Sequence, residues 1–314
     1  MAKEIKCPLC SNSAENIERI NTSDIINLWK KRGIDTEKLF GENLYLYKNL
    51  CPHCKLEFFY PFVPGDNKFY SLLGREEWYY LHEDKTEFLY SCKFIKENDH
   101  VLDVGSGRGA FFNYIDKKIE YTGLELSSQA VEFAKKEKIN VIEKTIEEFA
   151  QNNQNSQDVV VTFQVLEHIV NLDSFIKSSL TALKKNGYFI IAVPNNYSFI
   201  RYAQNNIFNL PPHHLLHWNE YTLEYIAKKY NLEIVDIYKE KVTNVHKDWF
   251  YTTKFSKFIR GLLGIDTKTI NVSFLSRVIQ KISFLLSKFV RNSCSHLRED
   301  GHTIAIVFRK VHDA

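Results

Sequence analysis

The stretch "HVLDVGSGRGAFFNYI" (residues 100–115) decides the fold. An apolar run, His100 to Val104, reads as a buried strand. Glycines follow at 105, 107 and 109, and helical material after them. Glycines at that spacing strip side chains from a turn where backbone must approach a ligand closely. Alone the stretch is ambiguous, because Gly105, Gly107 and Ala110 also satisfy the relaxed dinucleotide fingerprint, in which the third glycine is replaced by alanine.

The elements downstream narrow the reading. "YTGLELSSQAVEFAKK" (121–136) is a strand ending in Glu125 followed by a helix, and a carboxylate there can accept both hydroxyls of a ribose. "INVIEKTIEEF" (139–149) supplies a third strand. "QDVVVTFQVLEHIVNLDSF" (157–175) gives a buried strand over Val159–Phe163, and "LKKNGYFIIAVPN" (183–195) a fifth. "LEIVDIYKE" (232–240) and "HTIAIVFRK" (302–310) are the last two strand candidates. Alternating strands and helices predict a doubly wound α/β fold, with a mostly parallel, Rossmann-like sheet of seven strands and a ligand at their carboxyl ends.

In order, "VLDVGSGRG", "GLELS", "VLEH" and "LKKNGYFIIAVPN" resemble the successive motifs of class I S-adenosylmethionine-dependent methyltransferases. The resemblance spans about 98–240 and resumes in "GHTIAIVFRK" (301–310). It implies that Asp103 and the loop at Gly105, Gly107 and Gly109 hold the methionine end of the cofactor, and that Glu125 holds the ribose. It further implies that Thr145 and Ile146 flank the adenine, and that Gln164 and Val165 approach the methionine and the sulfonium. Thr145 also reads as a helix cap, and Ile146 and Val165 as ordinary core. Glu167 and His168 stand at a helix entry, where an acid and a polar side chain serve as scaffold.

Four of the six cysteines form matching pairs, "CPLC" (Cys7, Cys10) and "CPHC" (Cys51, Cys54). Two C-x-x-C turns converge four thiolates into a tetrahedral zinc shell with no open position, so the expected role is structural. Disulfides are the competing reading, disfavoured in a reducing compartment. His53, inside the second pair, is a bystander. Residues 1–62 are therefore expected to be a zinc-binding module, 63–98 a linker and lid helix carrying Trp78, Leu81, Phe88, Leu89 and Phe94 on its apolar face, and 99–240 with 301–314 the methyltransferase domain. The combination resembles the bacterial branch with an N-terminal zinc module, which implies an oxygen of a sugar or sugar-derived molecule as acceptor, nucleotide-linked or lipid-linked, in surface polysaccharide or glycoconjugate synthesis. Carbon methylation of a keto-sugar, an RNA or protein acceptor, and a non-catalytic cofactor-binding scaffold are the alternatives.

A formal net charge of +3 is too small to mark a nucleic-acid binder, and "FQVLEH" lacks the Asn/Asp-Pro-Pro-aromatic motif typical of enzymes that methylate a base's exocyclic amine. No leader-like segment opens the chain and no window approaches the roughly 18 apolar residues of a membrane span, so a cytoplasmic location is expected. The charge is uneven: residues 241–300 carry 11 basic and 4 acidic side chains, leaving the rest net acidic. Within this insert "SFLSRVIQKISFLLSKFVRN" (273–292) sets Phe274, Leu275, Val278, Ile279, Ile282, Leu285, Leu286 and Phe289 on one helical face. The simplest expectation is that this face packs on its own protein; docking on an anionic membrane, covering the active site and dimerisation are the others. Lys247, Lys254, Lys257 and Arg260 are candidates for nucleotide-sugar phosphates.

Finally, "PPHHLLHW" (211–218) follows the fifth strand, at the edge where the cofactor belongs. His213 and His214 are candidate general bases for an acceptor hydroxyl, since an imidazole titrates near neutral pH. His217 is expected to be structural. Trp218 reads either as a platform for a sugar ring or as the staple of a helix capped by Asn219. A histidine metal site is not expected, because no carboxylate lies near in sequence to complete its shell.

Overall fold

The computed structural model describes residues 4–75, 85–115, 118–290 and 298–312. Its strands are β1 (Glu15–Asn21), β2 (Tyr45–Leu50), β3 (Glu57–Tyr60), β4 (His100–Val104), β5 (Glu120–Glu125), β6 (Val141–Glu143), β7 (Gln157–Phe163), β8 (Leu183–Pro194), β9 (Leu216–His217), β10 (Glu233–Lys241) and β11 (Asp300–Arg309). The helices are α1 (Thr22–Lys30), α2 (Glu37–Phe40), α3 (Asn67–Leu73), α4 (Thr86–Ser91), α5 (Ser128–Lys136), α6 (Ile146–Asn152), α7 (Leu172–Ala182), α8 (Glu220–Tyr230), α9 (Lys247–Leu262) and α10 (Phe274–Val290).

Seven strands form one sheet in the order β10-β11-β8-β7-β4-β5-β6. The pairs β4–β5, β4–β7, β5–β6 and β7–β8 are parallel, while β11 runs antiparallel to both β8 and β10. The central strands are apolar on both faces because helices cover both. Alternation divides each strand between two cores. Leu102, Val160, Ile191 and Ile306 pack with Ile146, Ile176 and Leu223 on one side, and Val101, Val159, Val161 and Ala305 with Phe88, Tyr90 and Phe111 on the other.

A second sheet, β1-β2-β3-β9, belongs to the N-terminal module except for its last strand, which comes from "PPHHLLHW". Phe58 pairs with Leu216 and Glu57 with His217, while Trp218 bridges to Asn195 at the end of β8. Residues 216–218 are thus a seam between the two sheets. Helix α8 tightens it: Asn219 Nδ2 donates to the Lys55 carbonyl (2.7 Å), Thr222 Oγ1 to that of Cys54 (3.0 Å) and Lys229 Nζ to that of Leu9 (2.8 Å).

Three expectations change. The helix anticipated after the glycine loop is a 3-10 turn over Ala110–Tyr114, with Phe111 directed into the core. In the linker the described residues form two short helices, α3 and α4; Phe88 is buried and Leu89 points to solvent, while Trp78 and Leu81 lie outside the described residues. The third change is the insert. Helices α9 and α10 pack on each other through small and polar side chains: Thr252 Oγ1 donates to Ser287 Oγ (3.2 Å), and buried Arg260 reaches Ser256 (3.2 Å) and Ser276 (2.8 Å). Of the apolar face expected to be covered, Ile279 is buried, but Phe274 and Phe289 are 76% and 81% exposed and Leu275, Ile282, Leu285 and Leu286 are exposed too. Serines at 276, 283 and 287 fit the close approach to α9, which turns the bulky side chains outward. The same packing removes Arg260 as a phosphate contact.

Candidate active site

A cavity of 910 Å³ opens at the carboxyl ends of the parallel strands. One end is built from the loop after β4 and the end of β5. Gly105 sits at φ +77°, and a Cβ there would lie 2.4 Å from Val165 Cγ2; Gly109, at φ +76°, leaves no room beside Ile139. The glycines are therefore required by both dihedral and space. Glu125 braces this loop: its carboxylate accepts from the Gly107 (2.9 Å), Leu126 (2.8 Å) and Ser127 (2.7 Å) amides. Asp103 is buried beneath, accepting from the Tyr121 hydroxyl at 2.8 Å. Burial pushes its carboxyl up to about 7, opposed by the Tyr121 hydrogen bond and reinforced by the Glu125 charge.

The other end is assembled from three separate segments: Tyr70 on α3, Glu167 and His168 in the turn after β7, and His213 and His214 in the loop before β9. The Leu215 amide donates to the Glu167 carbonyl (2.8 Å), which locks the second and third segments together. The rings of His213 and His214 stack at 4.4 Å, with the His168 ring 4.7 and 4.9 Å away. Each imidazole spends Nδ1 on an oxygen: His168 on the His213 carbonyl (2.5 Å), His213 on that of Phe208 (2.8 Å) and His214 on Asn209 Oδ1 (3.0 Å). Donation from Nδ1–H in all three leaves the Nε2 lone pairs as acceptors.

Burial holds these imidazoles neutral, driving His168 down to about 4, His213 to about 3 and His214 well below its ordinary value. It drives Glu167 the opposite way, up to about 8. The contacts of Glu167 Oε1 with His168 Nε2 (3.9 Å) and His214 Nε2 (3.8 Å) are consequently approaches of neutral groups, not ion pairs. Glu167 is fully buried, and neither carboxyl oxygen has a hydrogen-bond partner among the described residues.

Of the residues expected from the sequence, Asp103, Gly105, Gly107, Glu125, Gln164, His213 and His214 line this one cavity. Gln164 adopts φ 57° and reaches Thr303 Oγ1 at 3.3 Å. Thr145 and Ile146 are not among the residues lining the cavity: Thr145 closes a capping box with Glu148 at the start of α6, and Ile146 packs in the core. Val165 packs against Gly105 and the core. Trp218 is 0% exposed, so it cannot stack on a sugar; Asn219 does cap α8, accepting from Thr222 N at 3.1 Å. His217 is structural, bonded to the Asn209 carbonyl (2.8 Å) and facing Glu57. Glu167 Oε1 comes within 3.8 Å of His214 Nε2 although 47 positions separate the two in sequence.

The cavity wall further contains Glu87, Glu240, His246, Trp249 and His302, which sequence reasoning passed over. Glu240 accepts from the His302 (3.0 Å) and Thr303 (3.2 Å) amides, and burial raises it to about 7. One signal could have found His302: an antiparallel last strand starts, rather than ends, at the ligand edge.

At the N-terminus the four cysteines come together. Cys7 Sγ lies 3.5 Å from Cys54 Sγ and Cys10 Sγ 3.4 Å from Cys51 Sγ, too long for a disulfide bond. All four sulfurs fall within 4.8 Å of one another, near the separation of about 3.8 Å expected for tetrahedral thiolates at Zn–S of ~2.3 Å. The two turns match: Ser11 N donates to Cys7 O and Lys55 N to Cys51 O, both at 2.9 Å, with Ser11 and Lys55 both left-handed.

A family model described as "Methyltransferase domain" matches residues 75–237. Among curated proteins, the chain is 26% identical over 183 residues to a ubiquinone biosynthesis O-methyltransferase of Pelagibacter ubique, covering 52% of this chain and 76% of that one. It is 31% identical over 102 residues to the protein of the same name from Vibrio campbellii, covering 30% of this chain and 43% of that relative, less than half its length. A solved S-adenosylmethionine-dependent methyltransferase from Archaeoglobus fulgidus superimposes over 77% of this chain and 100% of its own, with a TM-score of 0.52 at 22% identity, a likeness of fold.

Proposed function

The chain belongs to the methyltransferase-domain family as an S-adenosylmethionine-dependent enzyme, and from that premise we propose that it methylates a hydroxyl oxygen of a small-molecule acceptor. The observation that carries this reading is one cavity with carboxylates at one end and neutral imidazoles at the other. S-adenosylmethionine supplies a methyl group on a sulfonium. Asp103 and the glycine loop would take its cationic methionine end and Glu125 its ribose hydroxyls, with Gln164 beside the methionine. His213 and His214 face that end from across the cavity, where an acceptor hydroxyl can be aligned with the methyl and relieved of its proton.

Oxygen as the acceptor atom is supported by the names of the curated relatives. A sugar or sugar-linked hydroxyl is the class we propose from the chain's resemblance; with Trp218 removed as a platform, it rests on that resemblance alone. Methyl transfer from labelled cofactor, screened against nucleotide sugars, lipid-linked sugars and cell extract, tests the acceptor. Titration with S-adenosylmethionine and its demethylated product tests the premise: failure of both to bind overturns it.

We further propose structural zinc at Cys7, Cys10, Cys51 and Cys54, supported by the sulfur spacing, and peripheral docking of the α9–α10 hairpin on an anionic lipid surface. Among the described residues no helix is long and apolar enough to cross a membrane. The outward Phe274, Leu285 and Phe289 lie on a helix that also carries Arg277, Lys281 and Lys288, the pairing an interfacial helix uses. Arg291 lies outside the described residues. Flotation with phosphatidylglycerol vesicles should recover the wild type and lose Phe274→Ser/Phe289→Ser; equal recovery on neutral vesicles overturns the charge component.

A further inference from the structure

His214 can take a proton from an acceptor in only one of its two neutral tautomers. With hydrogen on Nδ1 the Nε2 lone pair is open; with hydrogen on Nε2 that edge of the ring can only donate. His214 lines the cavity, and its Nε2 stands 3.8 Å from Glu167 Oε1, too far for a hydrogen bond to occupy the lone pair. Backbone carbonyls face Nδ1 of His168 and His213 and admit one tautomer, but the partner of His214 Nδ1 is an amide side chain, that of Asn209. Turned over, an amide presents NH2 in place of oxygen and imposes the opposite tautomer. What orients Asn209 therefore decides which nitrogen of His214 can act.

The orientation comes from two links further back. Asn209 Nδ2 meets Asn196 Oδ1 at 2.8 Å, and Asn196 Nδ2 reaches the Pro194 carbonyl in a longer contact of 3.4 Å. A carbonyl only accepts. It sets the NH2 of Asn196 toward Pro194, which leaves Asn196 Oδ1 for Asn209 Nδ2, Asn209 Oδ1 for His214 and the hydrogen on His214 Nδ1. Reversing both amides would turn the Asn196 oxygen on the Pro194 oxygen. Asn196, Asn209 and His214 are all buried, so such a clash goes uncompensated.

We propose that Asn209, oriented by Asn196 and the Pro194 carbonyl at the end of β8, is a positioning residue that fixes the Nδ1–H tautomer of His214 and keeps its Nε2 as a proton acceptor. The relay is anchored on the seam between the two sheets. The Asn209 carbonyl accepts from His217 Nε2 at 2.8 Å, and His217 pairs with Glu57 across β9 and β3. The Asn196 amide donates to the Trp218 carbonyl at 2.9 Å. The N-terminal module thus bears on which nitrogen carries the proton as well as on where the ring sits.

The use of this tautomer in turnover rests on the reading of His214 as the base; the tautomer itself does not. In that step the Nε2 lone pair takes the hydroxyl proton of the acceptor and the freed oxygen pair forms the O–CH3 bond. The pair of the breaking C–S bond returns to sulfur, leaving a neutral thioether and an imidazolium whose Nδ1–H still donates to Asn209.

Nitrogen-15 NMR of the full chain, labelled at histidine, reads the tautomer directly, with His214 assigned by the loss of its signals in His214→Gln. The wild type should show a protonated Nδ1 and a bare Nε2. Asn209→Leu should mix or invert the two forms and slow methyl transfer from labelled S-adenosylmethionine into cell extract by roughly 10²-fold or more, with cofactor affinity within about twofold. Asn196→Leu, two links from the ring, should mix the forms as well. A wild-type His214 protonated on Nε2 overturns the proposal. So does a pure Nδ1–H form in Asn196→Leu, or loss of turnover in Asn209→Leu with the tautomer unchanged, the signature of a structural prop. Should Asn209→Leu fail to fold by circular dichroism, the wild-type spectrum and Asn196→Leu decide. A shifted tautomer with turnover intact leaves the relay standing and removes His214 as the base of the proposed function.

Discussion

The two ends of the cavity are made in opposite ways. Apart from Gln164, the cofactor end comes from one continuous stretch of chain, Asp103 to Glu125, in which a strand, a glycine loop and the next strand bring their groups together by local geometry. The acceptor end needs Tyr70, Glu167–His168 and His213–His214, residues separated by up to about a hundred and forty positions, and it is braced from outside by a module that contributes no described wall beyond Arg32. The strand after the histidines, β9, is the fourth strand of that module's sheet, and α8 hangs on the carbonyls of Leu9, Cys54 and Lys55. A closed four-cysteine cluster with no chemistry of its own can thus serve catalysis by holding two imidazoles in place.

The most severe way to break this contrast is to remove the brace. Cys51→Ser should release the proposed zinc and cost several kcal/mol of stability, because metal binding in such modules is itself folding energy. Turnover should fall at least about 10²-fold through displacement of His213 and His214. Affinity for S-adenosylmethionine should change by no more than about twofold, the usual scale for sites without shared partners. Calorimetry and single-turnover assays read these separately. Loss of cofactor binding in a chain that still folds would contradict the division. If Cys51→Ser does not accumulate as folded protein, Thr222→Val, which removes only the bond to the Cys54 carbonyl, weakens the same seam more gently.

The opposite break is Glu125→Ala. Two charge-assisted hydrogen bonds to ribose hydroxyls are worth about 1.5–3 kcal/mol each, so the dissociation constant for S-adenosylmethionine should rise roughly 10²-fold or more. The metal content of the four-cysteine cluster should stay as it is. An unchanged dissociation constant would take Glu125 out of the proposed cofactor site and reduce it to a brace for the Gly107 amide.

The same contrast explains what could be read from the sequence. The seven strands of the large sheet, the glycine loop, Glu125 and the four cysteines are encoded by short-range spacing, and the structure has the strands in one sheet, the loop and Glu125 on one cavity and the cysteines in one cluster. His213 and His214 were legible only as an address at the correct sheet edge. The approach of Glu167 was not legible, because nothing in "VLEH" says that its acid faces a loop 46 residues later. Trp218 and Ile146 illustrate the converse: an aromatic and an aliphatic side chain near a site are drawn into the core by the general advantage of burying them. The hairpin defeated periodicity for a different reason. A hydrophobic stripe says which residues share a face but not what that face meets, and here the serine stripe made the closer packing.

The smallest expected effect sharpens the contrast through pH. Asp103 has its carboxyl raised to about 7 by burial, so the unliganded folded chain holds that proton more firmly than the unfolded chain does. Stability from this group is therefore fully present below the ordinary aspartate range and is lost as pH rises through about 7. Cofactor binding runs the other way. A cationic methionine amine favours the ionised carboxylate, so apparent affinity should fall by up to about tenfold per unit as pH drops below 7 and level off above it. The same linkage makes binding at pH 6 release a proton, which calorimetry in buffers of different ionisation enthalpy measures directly. Asp103→Asn should flatten the profile and lower affinity throughout. At the acceptor end the imidazoles make no such contribution, because burial keeps them neutral down to about pH 4, and the Glu167 carboxyl, raised by burial to about 8, stays protonated across the range in which affinity falls. A dependence that persists unchanged in Asp103→Asn would move the titrating group elsewhere, with Glu240, also raised to about 7 and facing the same cavity, as the carboxyl to substitute next.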